Sequence, residues 1–356
     1  MTDRSSHDRN GAVARLLRAA QMLRPRTIAQ LAKNDDRLQQ QLQTLTEEVQ
    51  TLKAQLGHVT RQERQLRTLF ESEYDSNDDI SRFDALVRTA PIADHIQAAV
   101  ARAPMQYDPF PHCVVDDLLP AAYYDALIAA LPPAELFADR PVNKQQLTVP
   151  LELAPRYSME VWRHMAKVVA EGIIRPTMLA KFHEPLTAWL REKLPVLGEQ
   201  PLEDLRITCS DGRILLRRPG YLIHPHRDPK WGFITCLMYL ARKGDDERWG
   251  TQLFKVADDN EAEGPRPHWI SEERCQLVGD VAFRPNRMLV FLNSVGAHGA
   301  HIPADAKPAN MERYAYQFRL GADGKSIKSI RTRLTPEQRA FWAGKVHDDY
   351  AGDRAQ

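Results

Sequence analysis

The run Gly220-Tyr221-Leu222-Ile223-His224-Pro225-His226-Arg227-Asp228, followed at 233–240 by FITCLMYL, decides how the chain is to be read. Residues i and i+2 of an extended segment point to the same side, so His226 and Asp228 offer an imidazole nitrogen and a carboxylate oxygen to one ion. The apolar run behind them reads as a buried strand. Further along, a strand at 288–292 leads into Asn293-Ser294-Val295-Gly296-Ala297-His298-Gly299, a turn that brings His298 back across a barrel as third ligand. Two histidines and one carboxylate on one face of a metal leave three adjacent positions open. That set suits non-haem Fe(II) binding O2 and a chelating co-substrate.

The His-x-Asp element is weak evidence by itself, since His347-Asp348-Asp349 repeats it in a polar tail, where it reads as chance. The ordered surroundings carry the weight: the strand at 234–240, then Gly250-Thr251-Gln252-Leu253, then His298, then Arg313. Arg313 opens Arg313-Tyr314-Ala315-Tyr316-Gln317-Phe318. A guanidinium at a barrel mouth clamps a carboxylate through two parallel hydrogen bonds, which lysine cannot reproduce. Arg319 lies on the same face by period-two alternation and is the fallback, and a surface pairing of Arg313 with Glu312 is the bland alternative. His301 competes with His298 as distal ligand. His224 and His226 form the His-x-His pair of a cupin-like set, but that set wants a glutamate where Lys230 or Trp231 stands, so His224 reads as structural.

Outward from this stretch, short apolar runs at 205–209, 213–216, 252–256, 276–283 and 314–320 are separated by Gly, Pro, Asp and Asn, which indicates a sandwich or barrel. Ahead of them, 80–101, 121–131, 158–174 and 176–194 have helical periodicity, and Pro109-Phe110-Pro111-His112-Cys113-Val114-Val115-Asp116-Asp117 reads as an extended lead-in. Past Gly321 the chain turns basic and polar. Thr335-Pro336 with Gln338 marks a capping box and an N1 proline opening a last short helix.

These motifs, with Thr235-Cys236-Leu237-Met238-Tyr239-Leu240, Pro285-Asn286-Arg287-Met288-Leu289-Val290-Phe291 and His298-Gly299, resemble the prolyl-hydroxylase-like Fe(II)/2-oxoglutarate dioxygenases over roughly residues 206–320. The resemblance implies an α+β protein built on a double-stranded β-helix (jelly roll) with supporting helices. It implies iron held by His226, Asp228 and His298, and 2-oxoglutarate held by Arg313 with a hydrogen bond from Tyr239. O2 would be the oxidant and ascorbate an accessory reductant. The implied reaction is hydroxylation of an unactivated C–H in a prolyl, amino-acid, peptide or other small-molecule substrate, releasing succinate and CO2. Departures are Ala241, where Asn often follows Tyr-Leu, and Trp249-Gly250 in place of Gly-Gly; both bear on substrate rather than metal. Trp231, Trp249 and Trp269, the charged segment 242–248 and the loop 258–270 are candidates to border the mouth. Two other classes are a cupin-like metal enzyme that does without 2-oxoglutarate, and a non-catalytic scaffold with a relic barrel.

The scaffold reading draws on the N-terminal region. Leu31, Leu38, Leu42, Leu45, Val49, Leu52, Leu56, Val59, Leu66 and Phe70 recur at alternating spacings of four and three, interrupted only at Asp35 and Glu63. So narrow a seam on a polar helix predicts a coiled coil and a homo-oligomer. Residues 12–23 form a short basic amphipathic helix ended by Pro25, read as packed on a partner rather than as a membrane-surface anchor. The expected organisation is a basic segment 1–26, coiled coil 27–70, acidic linker 71–79, helical part 80–204, β-core 205–322 and basic extension 323–356.

Of 356 residues, 43% are hydrophobic, enough for a substantial core and too many for a disordered chain. Lys plus Arg total 48 against 47 Asp plus Glu, a net charge of +1, which argues against a general nucleic-acid binder. The apolar runs are far shorter than the ~20 residues that span a bilayer. Cys113, Cys209, Cys236 and Cys275 form no CxxC pair and read as reduced thiols. With no apolar h-region and cleavage site near the N-terminus, they favour the cytoplasm.

Overall fold

The computed structural model describes Arg15, Arg18 and residues 25–72, 77–140, 144–147, 151–258, 269–293 and 295–342. The expected amphipathic segment at 12–23, most of the loop at 258–270 and the second His-x-Asp at His347 lie outside the described residues. The chain divides into two units between Leu66 and Arg67.

Within the first unit runs most of α1 (Pro25–Ser72), 48 residues of uninterrupted helix and so about 70 Å long. Its apolar seam faces solvent: Leu38, Leu42, Leu45, Val49, Leu52, Leu56, Val59 and Leu66 are 47–69% exposed. A leucine fully buried is more stable than one left in water by about 1.5–3 kcal/mol, so the seam is a large unspent driving force. No helix among the described residues is long and apolar enough to cross a membrane.

The second unit opens with α2 (Asn77–Thr89), whose first turn contains Asp78 and Asp79, and α3 (Ile92–Arg102). Those two acids, which fall within the expected linker 71–79, favour a helix N-terminus because they face its unpaired N–H groups. β1 (His112–Val115), α4 (Ala121–Ala129), α5 (Arg156–His164), a wide π-helical run Met165–Ile174, α6 (Arg175–Lys181) and α7 (His183–Lys193) follow. A hairpin of β2 (Phe137–Arg140) and β3 (Lys144–Leu147) interrupts the helices. It lacks apolar alternation, and its place is set by pairing with a longer strand.

β4 (Ile207–Arg217) merges the two runs expected at 205–209 and 213–216, and β5 (Leu222–His226), β6 (Ile234–Leu240), β7 (Thr251–Val256), β8 (Cys275–Val281), β9 (Met288–Leu292), β10 (Ala297–His301) and β11 (Arg313–Ala322) complete two sheets. All ladders are antiparallel, in the orders β1-β9-β6-β11-β4-β3-β2 and β5-β10-β7-β8. Pro225 is tolerated inside β5 because that strand is an edge, where a missing N–H breaks no ladder. The fold is α+β, with helices packed beside antiparallel sheets.

Alternation along the larger sheet explains both cores. Cys236, Met238 and Leu240 of β6, Val290 of β9, and Tyr314, Tyr316, Phe318 and Leu320 of β11 join helix residues such as Trp162, Phe182 and Leu186 in one cluster. Leu237, Tyr239, Leu289, Phe291 and Ala315, one residue out of phase, meet Leu253 and Val281 of the smaller sheet. Arg313, Gln317 and Arg319 share that inner face with Ala315, so polar side chains enter the space between the sheets.

Two further links fix the frame. Asn286, at φ 55°, donates its amide to Leu119 O at 2.7 Å and accepts from Leu119 N at 3.0 Å, while Arg287 grips Asp116 through Nε and Nη2 at 2.5 and 2.9 Å. The Pro-Asn-Arg motif therefore locks the lead-in onto the turn before β9. After β11, α8 (Gly324–Arg333) starts where Asp323 caps Ser326 N at 2.7 Å, and α9 (Pro336–Phe341) carries the expected reciprocal box between Thr335 and Gln338.

A candidate metal centre between the sheets

His226 ends β5, Asp228 follows two residues on, and His298 stands directly opposite His226 in the β5–β10 ladder. The sequence suggests a turn for 293–299, but Ala297 to His301 form a strand. Pairing on both flanks overrides its weak local propensity, helped by Gly296 at φ 59° in the preceding turn. Gly299 also admits close approach, since a Cβ there would lie 2.9 Å from Ile223 O.

One ligand atom from each of His226, Asp228 and His298 lies within 4.8 Å of the others, and all three residues are buried. The imidazole rings are 4.2 Å apart between centroids, and His298 Nε2 is 3.8 Å from Asp228 Oδ2. His226 Nδ1 is 2.9 Å from the carbonyl oxygen of His224, which only accepts. That nitrogen carries the proton, so Nε2 presents its lone pair.

Asp228 is held from three sides. Arg319 Nη2 donates to Oδ1 at 2.6 Å, Thr235 Oγ1 donates to Oδ2 at 2.6 Å, and Gln317 Nε2 reaches Oδ2 at 3.4 Å. Burial pushes the carboxyl pKa up, but Arg319 and then His298 and His226 outweigh it and hold the group well below the ordinary carboxylate value. The carboxylate is thus ionised, oriented and ready to bind a cation. The donor set fits a divalent transition metal such as iron.

Other residues singled out in the sequence fall as follows. His301 is exposed at the far end of β10 and outside the group. His224 is also outside it, its Nδ1 2.6 Å from Glu272 Oε1, so among the described residues no cupin-like His-x-His set is assembled. Trp231 is buried against Trp342 at 4.5 Å and Trp249 packs beside the Tyr221 cluster. Only Trp269 of the three stands at the group, 39% exposed and 5.7 Å from the His226 ring.

Tyr239 is buried, and its hydroxyl donates to Thr251 Oγ1 at 2.8 Å; Thr251 in turn lines the cavity of the metal group. Burial moves the phenol up to about 12, so it is a neutral donor. Arg313 does not pair with Glu312, which binds Arg218 at 2.8 Å instead. Its guanidinium lies 3.6 Å over the Phe283 ring and donates through Nη1 to Asp246 O at 2.5 Å, bordering a separate cavity of about 500 Å³ with Asp245, Asp246 and Asn310. Arg313 Nη2 is buried with no hydrogen-bond partner. Arg319, the fallback clamp, is committed to Asp228. Arg217 of β4, not singled out in the sequence, lines the cavity of the metal group itself.

Comparison with family models gives no match, and neither does comparison with curated proteins. Among solved structures, the chain is similar to a Pseudomonas putida prolyl-4-hydroxylase at 15% identity, with 64% of this chain and 100% of that one covered and a TM-score of 0.37. HygX from Streptomyces hygroscopicus, solved with nickel, 2-oxoglutarate and hygromycin B bound, matches at 13% identity over 60% and 83% of the two chains, TM-score 0.37. SnoK, a non-heme alpha-ketoglutarate-dependent carbocyclase from nogalamycin biosynthesis, matches at 12% over 69% and 94%, TM-score 0.36.

Proposed function

We propose that the chain is an Fe(II)/2-oxoglutarate-dependent dioxygenase that hydroxylates an unactivated C–H of a prolyl, amino-acid, peptide or other small-molecule substrate. The observation that carries this is the buried His226–Asp228–His298 group, with a pre-ionised carboxylate and a histidine tautomer set for metal. On this reading β4 to β11 are the eight strands of a double-stranded β-helix, with β4, β6, β9 and β11 in the larger sheet and β5, β7, β8 and β10 in the smaller.

Iron would be held by these three residues, and the distal carboxylate of 2-oxoglutarate by Arg313, whose unpartnered Nη2 is a donor awaiting an acceptor. Bound there, the two supply the O2-dependent oxidising chemistry. The chain's own part is to orient and to exclude water. Thr235, Gln317 and Arg319 fix the carboxylate ligand, the His224 carbonyl fixes the His226 ring, and Phe291 packs 4.6 Å from the His298 ring.

The test is anaerobic titration with Fe(II) and then 2-oxoglutarate, following the weak visible charge-transfer band of a chelated 2-oxo acid. The wild-type protein is expected to develop the band and His226→Ala to lack it. A metal-replete wild type with no band would move a metal enzyme that does not use 2-oxoglutarate, or a scaffold, ahead of this reading.

We also infer that α1 forms a coiled coil with a second copy of the chain. Support comes from the exposed seam, whose a/d spacing is that of a helix made to pair with another helix. The four free cysteines fit a reducing compartment such as the cytoplasm.

A further inference from the structure

Arg217 sits directly opposite Arg313 in the β4–β11 ladder, and opposed residues of an antiparallel pair project to the same face. It lines the cavity that also holds His226, Asp228, His298, Thr235 and Gln317. Its Nε is buried with no hydrogen-bond partner, and its guanidinium lies 5.0 Å over the Tyr221 ring. Arg319 on the same inner face is bonded to a carboxylate, and Arg313 to a backbone carbonyl. Arg217 has neither. Burial and then the like charge of Arg217 bring Arg313 down to about 9, so the two cations feel each other.

A pair of neighbouring guanidiniums, each with a buried N–H left without an acceptor, is unfavourable until an anion reaches them. A carboxylate has two oxygens and about four acceptor sites, enough to serve both side chains at once. Resting on the 2-oxoglutarate reading above, we propose that Arg217 is a second carboxylate-binding residue of the site and shares the distal carboxylate of the 2-oxo acid with Arg313. Neither the motif spacing nor the resemblance marks Arg217; the strand register does.

The proposal is tested by binding 2-oxoglutarate, and 2-oxovalerate, which lacks the distal carboxylate, to the Fe(II)-loaded full chain without O2. Wild type, Arg217→Gln, Arg217→Lys and Arg313→Gln are compared. Wild type is expected to prefer 2-oxoglutarate. In Arg217→Gln the affinity for 2-oxoglutarate is expected to fall at least tenfold while that for 2-oxovalerate barely changes, with Arg217→Lys in between. Metal-free Arg217→Gln is expected to melt at or above wild type, because the guanidinium has no hydrogen bond to lose.

If Arg217→Gln keeps the wild-type preference, Arg217 does not bind the co-substrate and the proposal fails while the oxygenase reading stands. A loss of affinity appearing only for a carboxylate-bearing primary substrate also overturns it, assigning the anion to that substrate. Equal weakening of both 2-oxo acids, or a lowered melting temperature, would make Arg217 a structural residue. A wild type that binds neither 2-oxo acid removes the oxygenase reading and this inference together.

Discussion

Arg319 and Asp228 face each other across the inner surface of the larger sheet, Nη2 to Oδ1 at 2.6 Å, both with side chains almost wholly buried. The pair orients the carboxylate of the candidate metal group. Its neutralising partner is covalently distant, 91 residues along the chain, so assembly of the site depends on β11 being in register.

Removing Arg319 leaves an uncompensated buried charge. Arg319→Gln is expected to cost about 3–5 kcal/mol of stability, measured by urea unfolding of the metal-free protein, and Asp228→Asn in the same chain is expected to restore part of it. The sign of the pH dependence follows from the lowered carboxyl pKa. Asp228 contributes its full stabilisation above its ordinary value of 3.8, and this fades as pH falls through the lower folded value.

His164 gives a pH dependence of the same sign at milder pH. Desolvation by burial lowers its pKa from 6.5, and Tyr123 Oη lies 2.8 Å from its Nδ1. The unfolded chain takes up the proton first, so stability is complete above pH 6.5 and declines as pH falls below it. Melting temperatures at pH 7.5 and 5.5 are expected to differ more for wild type than for His164→Gln.

Tyr239 reaches the cavity only through Thr251. Tyr239→Phe is therefore expected to weaken 2-oxoglutarate by a few-fold at most, less than Arg313→Gln, in the anaerobic titration. A loss of tenfold or more would show that the phenol turns to meet the co-substrate directly.

The exposed seam of α1 predicts self-association. Sedimentation velocity is expected to show an oligomer for wild type and a monomer for the double variant Leu45→Glu, Leu52→Glu, with Fe(II) binding per chain unchanged. A monomeric wild type would remove the coiled-coil reading.

The parts legible in the sequence were those with local periodicity or local chemistry. Cys236, Met238 and Leu240 alternate with Leu237 and Tyr239 to announce a strand buried on both faces, and His226 with Asp228 places two possible ligand side chains together within three residues. Thr335 and Gln338 likewise cap each other within one turn. What escaped depends on pairing. The β2–β3 hairpin is polar and exists through its ladder with β4, and β10 contains Gly299 yet is held on both flanks. Arg217 looks like any charged residue before a Pro-Gly turn, and only its register opposite Arg313 places it over the cavity. Arg319 stood on the anticipated face, but the period-two argument could not say which anion it meets.

The most direct measurement is anomalous diffraction from anaerobic crystals of the full chain grown with Mn(II) and 2-oxoglutarate. A single metal peak bonded to His226 Nε2, Asp228 and His298 Nε2, with 2-oxoglutarate chelating it and its distal carboxylate at Arg313, is the expected result. A metal bound elsewhere, or a 2-oxoglutarate that lies outside this cavity, would contradict the account.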